Sequence, residues 1–278
     1  MAAEITRRSF LAGTVALSSS ELTRSASYSF WVLGLLHPTS IAISPYANSR
    51  LHAGSRVLEG ARALTIDASQ TPISVSGAMN EPVSFILEIP GVIRRRYHGL
   101  LKITSDGALL RPVVTMDREV AVGSIVGAEL PVHGTPLGAL SAQALAARSF
   151  LYAAVARPRH RSAQFCDTTH CQFLRTPPSI GSPVAKAVQA TEGLVLSSHS
   201  IVIPAHYSAA CGGHTDNAEL DHYQYRSVTC EPCQRAGTRR RGHGLGLCQA
   251  GAISLARTGW NVEQIVAKYY LGCAIQSA

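Results

Sequence analysis

The sequence predicts an α+β fold, with a β-rich first half followed by a helical segment and a mixed strand and helix portion. Up to about residue 115, short apolar runs alternate with Gly, Pro, Asn and Asp, which is typical of strands joined by turns. Between residues 117 and 156, apolar residues recur every three or four positions, as they do on one face of a helix. After residue 160, Cys-, His- and Gly-rich stretches separate shorter strand and helix patterns.

The β-rich half divides into several short strand candidates. The first apolar run covers residues 28–43 and is interrupted at His37-Pro38. Ser105-Asp106-Gly107 predicts a hairpin turn. The remaining strand candidates are residues 57–66, 73–75, 84–89, 97–104 and 108–115.

The first predicted helix opens at Asp117 and ends before Pro131, because proline lacks an amide donor and clashes with the preceding turn. Its apolar face leads directly to Glu129, which occupies the position where that face would continue. Burial there would favour the protonated acid, the form that a general acid needs near neutral pH. Alternatively, Glu129 is a solvated glutamate at a helix end, and the residues alone favour this second interpretation.

The second predicted helix begins at Thr135-Pro136, with an N-cap followed by proline at the first helical position. Its small residues would let another element approach closely. One side is lined by Leu140, Ala144, Ala147, Leu151 and Ala154.

The charge of the chain restricts its partners only weakly. A formal charge of +8 over 278 residues suits an anionic partner such as nucleic acid, phospholipid or an acidic wall polymer. The basic residues are scattered, however, and the arginine runs 94–96 and 239–241 are short and lie beside apparent loops. We therefore predict solvated faces there and no nucleic-acid partner.

The N-terminus resembles an export signal. Arg7-Arg8 precedes Phe10-Leu11 and a short apolar run, as in twin-arginine signals. We predict an export signal, or otherwise a disordered tail, over residues 1–27, and a protein exported to the periplasm or cell envelope. No segment is long and apolar enough to predict a transmembrane helix in the mature chain.

Four potential ligands for a soft metal lie close together in the sequence: His160, Cys166, His170 and Cys171. Two thiolates and two imidazoles are a donor set that tetrahedral zinc prefers. A Cys166–Cys171 disulfide in an exported protein, or two inert thiols, would explain the same residues. The spacing alone leaves these alternatives open. The chain has seven cysteines, all of which follow Phe165. Because seven is an odd number, at least one cysteine cannot form a disulfide within the chain.

Taken together, the motifs of this chain resemble the SpoIID/LytB family, which includes stage II sporulation protein D and an amidase enhancer. The similarity extends from about Phe30 to Gly272. It rests on four ordered motifs: Glu129-Leu130-Pro131, the alanine-rich helix from Pro136 through Arg148, Tyr207-Ser208 with Gly212-Gly213-His214-Thr215, and Gly242-His243-Gly244-Leu245-Gly246 with Gln249.

The resemblance implies a peptidoglycan lytic transglycosylase that acts on peptide-stripped glycan strands, with Glu129 as its catalytic acid. The alternative is a non-catalytic wall-binding protein that activates a cell-wall amidase, and a third is a zinc or thiol protein without a glycan role. The resemblance also implies a structural zinc ion held by the four residues at 160–171. It implies substrate-binding roles for Arg148, Tyr207, Ser208, Gly212, Gly213, His214, Thr215, His243 and Gln249. For Arg148 two roles stay open, since it either meets the lactyl carboxylate of the substrate or anchors the Glu129 loop.

On this basis residues 28–115 form a β-rich N-terminal part, and residues 116–278 form a SpoIID-like catalytic core around a glycan cleft. Three features depart from the family pattern. Gly138 and Ser141 stand where the family usually has Glu and Lys, Cys211 replaces a common serine, and the segment between Cys233 and Gly242 is short.

Overall fold

The structure is a computed structural model that describes residues 27–155, 157–158, 160–220 and 222–278. These residues form an α+β fold, which confirms the predicted class, with a nearly closed sheet in the first half. The predicted export signal lies outside the described residues except for Ser27, where the first strand begins. Within the described residues, no helix combines the length and apolar character needed to cross a membrane.

The first half consists of nine strands connected mainly by turns. Their bounds are β1 Ser27–Trp31, β2 Ser40–Pro45, β3 Leu51–Ala53, β4 Arg56–Leu58, β5 Leu64–Asp67, β6 Ile73–Ser76, β7 Val83–Ile89, β8 Ile93–Asp106 and β9 Leu109–Asp117.

The second half contains the helices and shorter strands. Their bounds are α1 Arg118–Glu129, α2 Leu137–Ala154, β10 Phe165–Cys166, α3 Pro183–Ala190, β11 Leu194–Ser198, β12 Ile201–Val202, β13 Tyr207–Ser208, β14 Ala218–Leu220, β15 Tyr223–Tyr225, α4 Glu231–Arg235, β16 Leu247–Cys248, α5 Gln249–Arg257, α6 Val262–Tyr269 and β17 Ala274–Ser277.

The long strand β8 organises the large sheet, because it pairs antiparallel with β7 along residues 93–99, with β9 along residues 100–106 and with β6 along residues 101–103. The exchange of partners occurs at Gly99, which pairs with Val83 of β7, while Leu100 pairs with Thr115 of β9. A Cβ atom on Gly99 would lie 2.2 Å from the carbonyl oxygen of Thr115, and the φ angle of Gly99 is +154°. Only glycine tolerates so close an approach of two backbones at this angle.

Side-chain caps fix the starts of several helices. Asp117 caps α1 by accepting hydrogen bonds from the backbone N–H groups of Glu119 and Val120. Ser182 caps α3 in the same manner. The helix predicted from Pro136 begins one residue later, because Pro136 keeps an extended backbone and serves as the N-cap of α2.

Helix α2 is central to the fold because it is buried on all sides from Ala139 to Leu151. One face, which includes Leu140 and Ala144, joins the core shared with the large sheet, α1 and α3. The opposite face, which includes Ala142 and Leu145, joins a second core formed with α4, α5 and α6. The predicted close approach of neighbours to small residues is therefore observed on two sides.

Candidate functional site

A cleft of about 430 Å³ lies beside the C-terminal end of α1. Three loops contribute to its walls: residues 169–172, 206–209 and 241–243. Its lining residues are Glu129, Phe150, Thr169, His170, Cys171, Gln172, His206, Tyr207, Ser208, Ala209, Arg241, Gly242, His243 and Gln249. The sequence predicted Glu129, Tyr207, Ser208, His243 and Gln249 as site residues, and the structure brings these five together.

Glu129 lies at the centre of this group and is half-buried. Its Oε1 atom accepts a hydrogen bond from the backbone N–H of Phe173 at 3.1 Å and another from the Tyr207 hydroxyl at 3.3 Å. The side-chain amide of Gln249 donates to Oε2 at 3.5 Å. These three donors are all neutral, and Glu129 is placed at the end of α1 by the stop at Leu130-Pro131.

Burial is the main influence on the protonation of Glu129 and raises the pKa of its carboxyl group. The hydrogen bonds from Phe173, Gln249 and Tyr207 act in the opposite direction and lower this pKa. Since burial is the largest cause, the net effect favours the protonated acid beyond its ordinary range. The same site therefore holds a proton and stabilises the carboxylate left after the proton departs.

A network of amide side chains holds the partners of Glu129. The hydroxyl of Tyr207 has one proton, which it shares between Glu129 Oε1 and the nearer Gln172 Oε1 at 2.8 Å, and Gln172 Nε2 donates to the carbonyl of Ala147 in α2 at 3.1 Å. Gln249 Nε2 also donates to Gln143 Oε1 at 3.2 Å. Helix α2 thus supports both sides of the carboxylate through Ala147 and Gln143.

His206, His243 and Ser208 are polar residues that line the cleft without contacting Glu129. The imidazole of His206 packs edge-to-face on that of His243, with ring centroids 5.5 Å apart. His243 Nδ1 accepts the backbone N–H of Leu245 at 3.0 Å, and burial lowers the pKa of His243. The buried hydroxyl of Ser208 has no hydrogen-bond partner within the described residues.

Arg148 was predicted to bind substrate, but its side chain lies away from the cleft and is fully buried. Its guanidinium forms an ion pair with Glu119 of α1, at 2.6 Å from Oε2 and 2.9 Å from Oε1. It also donates to the carbonyl of Leu194 at 3.0 Å. In the described residues, Arg148 does not line the cleft, and its charge joins α1, α2 and the start of β11.

The Gly-Gly motif is also turned away from the cleft. None of Gly212, Gly213, His214 and Thr215 is among the cleft-lining residues. His214 is exposed to solvent, whereas the buried hydroxyl of Thr215 accepts the backbone N–H of Val228 at 2.9 Å. This loop positions neighbouring segments and does not contribute side chains to the cleft.

The structure brings together the four predicted metal ligands. The donor atoms of His160, Cys166, His170 and Cys171 all lie within 4.8 Å of one another. His160 Nε2 is 3.4 Å from Cys171 Sγ, and His170 Nδ1 is 3.6 Å from the same sulfur. The neighbouring Cys171, with Thr168 and His170, lowers the pKa of the Cys166 thiol, which favours the thiolate that a metal requires. This donor set could bind a metal ion.

This cluster of four is part of the cleft wall, because His170 and Cys171 also line the cleft. The following residues, Gln172 and Phe173, supply two of the contacts around Glu129 and its tyrosine. A metal bound here would therefore fix the loop that provides the backbone donor to Glu129.

Sequence reasoning missed several site residues. They are Gln143, Phe150, Thr169, Gln172, the backbone of Phe173, His206 and Arg241. Two signals could have found some of them: Gln172 directly follows the metal cluster, and His206 directly precedes Tyr207 in a polar loop.

Residues 108–197 match the family model of SpoIID, described as stage II sporulation protein. This region contains α1, α2, the 160–171 cluster and α3. No protein of curated function matches the chain.

Proposed function

We propose that this chain, of which residues 108–197 match the SpoIID family model, has the cell-wall-related role in sporulation that this match supports and is a peptidoglycan lytic transglycosylase. Such an enzyme cleaves glycan strands without water and leaves a 1,6-anhydro-muramyl end. One observation carries the proposal. Glu129 is the single acidic side chain among the described residues that line the cleft.

The number of carboxylates distinguishes two types of glycan cleavage. Glycoside hydrolases generally use a pair, one as the acid and the other as base or nucleophile. A lytic transglycosylase needs only one, because the substrate supplies the nucleophilic hydroxyl. The single carboxylate and its raised pKa both support the second type.

In the proposed reaction, protonated Glu129 donates its proton to the glycosidic oxygen as the bond from that oxygen to C1 of muramic acid breaks. The carboxylate then accepts the proton of the 6-hydroxyl of the same sugar, while that oxygen bonds to C1. The enzyme ends the cycle protonated, as it began, and no water is consumed. The N–H of Phe173 and the hydroxyl of Tyr207 stabilise the intermediate carboxylate.

Other cleft residues suit the remainder of the substrate. Tyr207, Ser208, His243 and Gln249 provide polar groups for sugar hydroxyls and acetamides. Arg241 replaces Arg148 as the cation that could meet the lactyl carboxylate of a peptide-stripped strand, since only Arg241 lines the cleft.

We extend the proposal to a structural zinc ion at His160, Cys166, His170 and Cys171. The close donor set of two thiols and two imidazoles supports zinc, and four protein ligands leave no position for a reacting water. The ion would order the 170–173 loop behind Glu129. Elemental analysis of a Cys166→Ser variant should show about one zinc fewer per chain than wild type. A Cys166–Cys171 disulfide in a peptide map would contradict this assignment.

We also propose export by the twin-arginine route, which rests on Arg7 and Arg8 and on a wall polymer as substrate. Replacing both arginines with lysine should retain the protein in the cytoplasm on cell fractionation. Unchanged export of this variant would exclude the twin-arginine route.

The decisive experiment is mass spectrometry of products released from purified peptide-stripped glycan strands. Wild type should release anhydro-muramyl ends, and Glu129→Gln should be slower by about a hundredfold to ten-thousandfold, because its amide cannot donate the acid proton. Glu192→Gln, a change at an exposed glutamate after α3, is the matched control and should retain wild-type activity.

The other possible products identify the alternatives. Reducing ends would indicate a hydrolase. Intact strands that remain bound to the wild-type protein would support the second candidate, a wall-binding activator of an amidase. Equal rates for wild type and Glu129→Gln would remove Glu129 from the mechanism.

A further inference from the structure

A second group of thiols lies in the other core of the protein and contains no residue of the 160–171 cluster. Its four members come from three segments: Cys211 follows β13, Cys230 and Cys233 lie at the start of α4, and Cys248 ends β16. Each is at most 2 % exposed. Their sulfur atoms all lie within 4.8 Å of one another, and Cys233 and Cys248 approach to 3.5 Å.

From this convergence we propose that Cys211, Cys230, Cys233 and Cys248 form a structural zinc site. A zinc ion bound to four thiolates at about 2.3 Å places the sulfur atoms about 3.8 Å apart at the corners of a tetrahedron. The observed spacing fits one ion at the centre of the group. In a cubane iron–sulfur cluster each cysteine binds a different iron, which requires a wider arrangement of the four sulfurs.

The sequence pattern agrees with this geometry. Cys230 and Cys233 are separated by two residues, the spacing with which a short turn presents two sulfurs to one zinc ion. Cys211 and Cys248 supply the other two from loops that the parallel pairing of β13 with β16 brings together.

Hydrogen-bond donors surround these sulfurs, as they surround metal-bound thiolates. Cys248 Sγ accepts the backbone N–H of Cys211 at 3.3 Å and that of Gly251 at 3.3 Å. The hydroxyl of Tyr269 lies 3.2 Å from Cys230 Sγ. These donors favour negative sulfur, and the first turn of α5 adds the positive end of its dipole beside Cys248.

Gly251 shows how closely the surroundings fit the sulfurs. A Cβ atom at this position would lie 2.6 Å from Cys230 Sγ and 2.1 Å from the Tyr269 oxygen. Any larger residue would displace the ligand sulfur or its hydroxyl partner, so glycine is required here for contact with the cluster.

The site would hold the part of the cleft wall that includes Gln249. Cys248 immediately precedes Gln249, whose amide donates to Glu129. Cys211 lies in the segment that continues from Tyr207 and Ser208. The proposal concerns metal binding and stability, however, and does not depend on whether the cleft cleaves glycan.

The test is metal analysis of the purified full chain, with variants that empty each cluster in turn. Wild type should contain about two zinc ions per chain, one for each set of four ligands. A Cys166→Ser/His170→Ala variant should retain about one, and X-ray absorption should then report four sulfurs at about 2.3 Å. Cys211→Ser should also lose about one, whereas Cys273→Ser, a half-buried cysteine outside both clusters, should lose none.

If Cys211→Ser does not fold, the wild-type protein still decides the question. If both sites bind zinc, X-ray absorption of the wild-type protein should report an average of about three sulfurs per zinc, because one site has two sulfurs and the other four. Zinc at the 160–171 site alone gives about two. The assignment is overturned by iron in place of zinc, by a disulfide joining any two of the four cysteines, or by unchanged zinc content in folded Cys211→Ser.

Discussion

The two ends of helix α1 place the same residue type in opposite circumstances. Glu119, in the first turn, meets the buried guanidinium of Arg148 at 2.6 Å. Glu129, the last residue, meets only the neutral donors of Phe173, Tyr207 and Gln249. The helix dipole increases this contrast, because it stabilises a carboxylate at the N-terminal end and disfavours one at the C-terminal end.

The comparison distinguishes a carboxylate that stabilises the fold from one whose carboxyl group retains its proton to higher pH. Glu119 balances the charge of Arg148, which would otherwise be buried alone. Glu129 has no cationic hydrogen-bond partner, and burial raises the pKa of its carboxyl group. At this end of the helix, burial and the helix dipole oppose ionisation of Glu129, while its hydrogen bonds and the charge of Arg175 favour ionisation, and burial is the largest of the influences on its pKa. Four predictions test this contrast.

The largest expected effect is on stability at the N-terminal end of α1. Glu119→Gln removes the carboxylate and leaves the guanidinium of Arg148 buried without its partner, which should cost about 3–5 kcal/mol. Urea denaturation at neutral pH measures this loss. The double variant Glu119→Gln/Arg148→Met, which removes both charges, should recover much of it. If Glu119→Gln is no less stable than wild type, the ion pair does not support the fold.

A smaller effect is expected from Tyr207→Phe, which removes one donor to the Glu129 carboxylate. Loss of about 1 kcal/mol of stabilisation should slow anhydro-product formation about fivefold. The high-pH limb of the rate profile should move to higher pH, because the Tyr207 hydrogen bond lowers the pKa of Glu129. Tyr46→Phe, a change at an exposed tyrosine, is the control. A rate loss without the pH shift would indicate that Tyr207 acts on the substrate instead.

An effect of similar or smaller size is expected from Arg241→Gln, which removes the cleft cation. The KM for peptide-stripped strands should rise severalfold with little change in kcat, because a surface charge pair contributes at most about 1 kcal/mol. Added salt should reduce the difference from wild type. Arg239→Gln, at an exposed arginine that does not line the cleft, should leave KM unchanged. If Arg239→Gln raises KM and Arg241→Gln does not, the lactyl group does not bind at Arg241.

The smallest expected effect is on the pH dependence of protein stability that is caused by Glu129 itself. The pKa of Glu129 in the folded protein is raised above the ordinary value of 4.5. At a pH between 4.5 and this raised pKa, the folded state therefore binds more protons than the unfolded state. Stability therefore falls as the pH rises through this window, and above it the ionised group remains destabilising. Glu129→Gln does not titrate, so it should be more stable than wild type at neutral pH.

This advantage should disappear below pH 4.5, where Glu129 is protonated in both states. Thermal unfolding at the two pH values, with Glu192→Gln as the control, measures it. If Glu129→Gln is less stable than wild type at neutral pH, the carboxylate contributes to the fold in addition to any chemical role.

Local patterns in the sequence were sufficient for the fold class and for the ends of α1. Asp117 caps α1 through contacts with residues two and three positions away, and Pro131 ends it, so nearby residues determine both ends. The partners of Glu129 were not predictable in this way. Phe173 and Gln249 lie 44 and 120 residues further along the chain, and no local pattern specifies such contacts.

Arg148 illustrates a different limit. Its long side chain could have extended towards either the cleft or Glu119, and both directions agree with the same helical pattern. Only the packing of α1 and α3 against α2 selects the ion pair. The 160–171 cluster was easier to recognise, because all four of its ligands come from one short loop.

The position of α2 has a consequence for how the protein loses its structure. Ala144 packs in the core of the large sheet, while Ala142, two residues earlier, packs in the core that holds the second thiol cluster. Neither core can melt without exposing an apolar side of the same helix. The two halves should therefore unfold together in one cooperative transition, and a cut near residue 115 would not release two independently stable fragments.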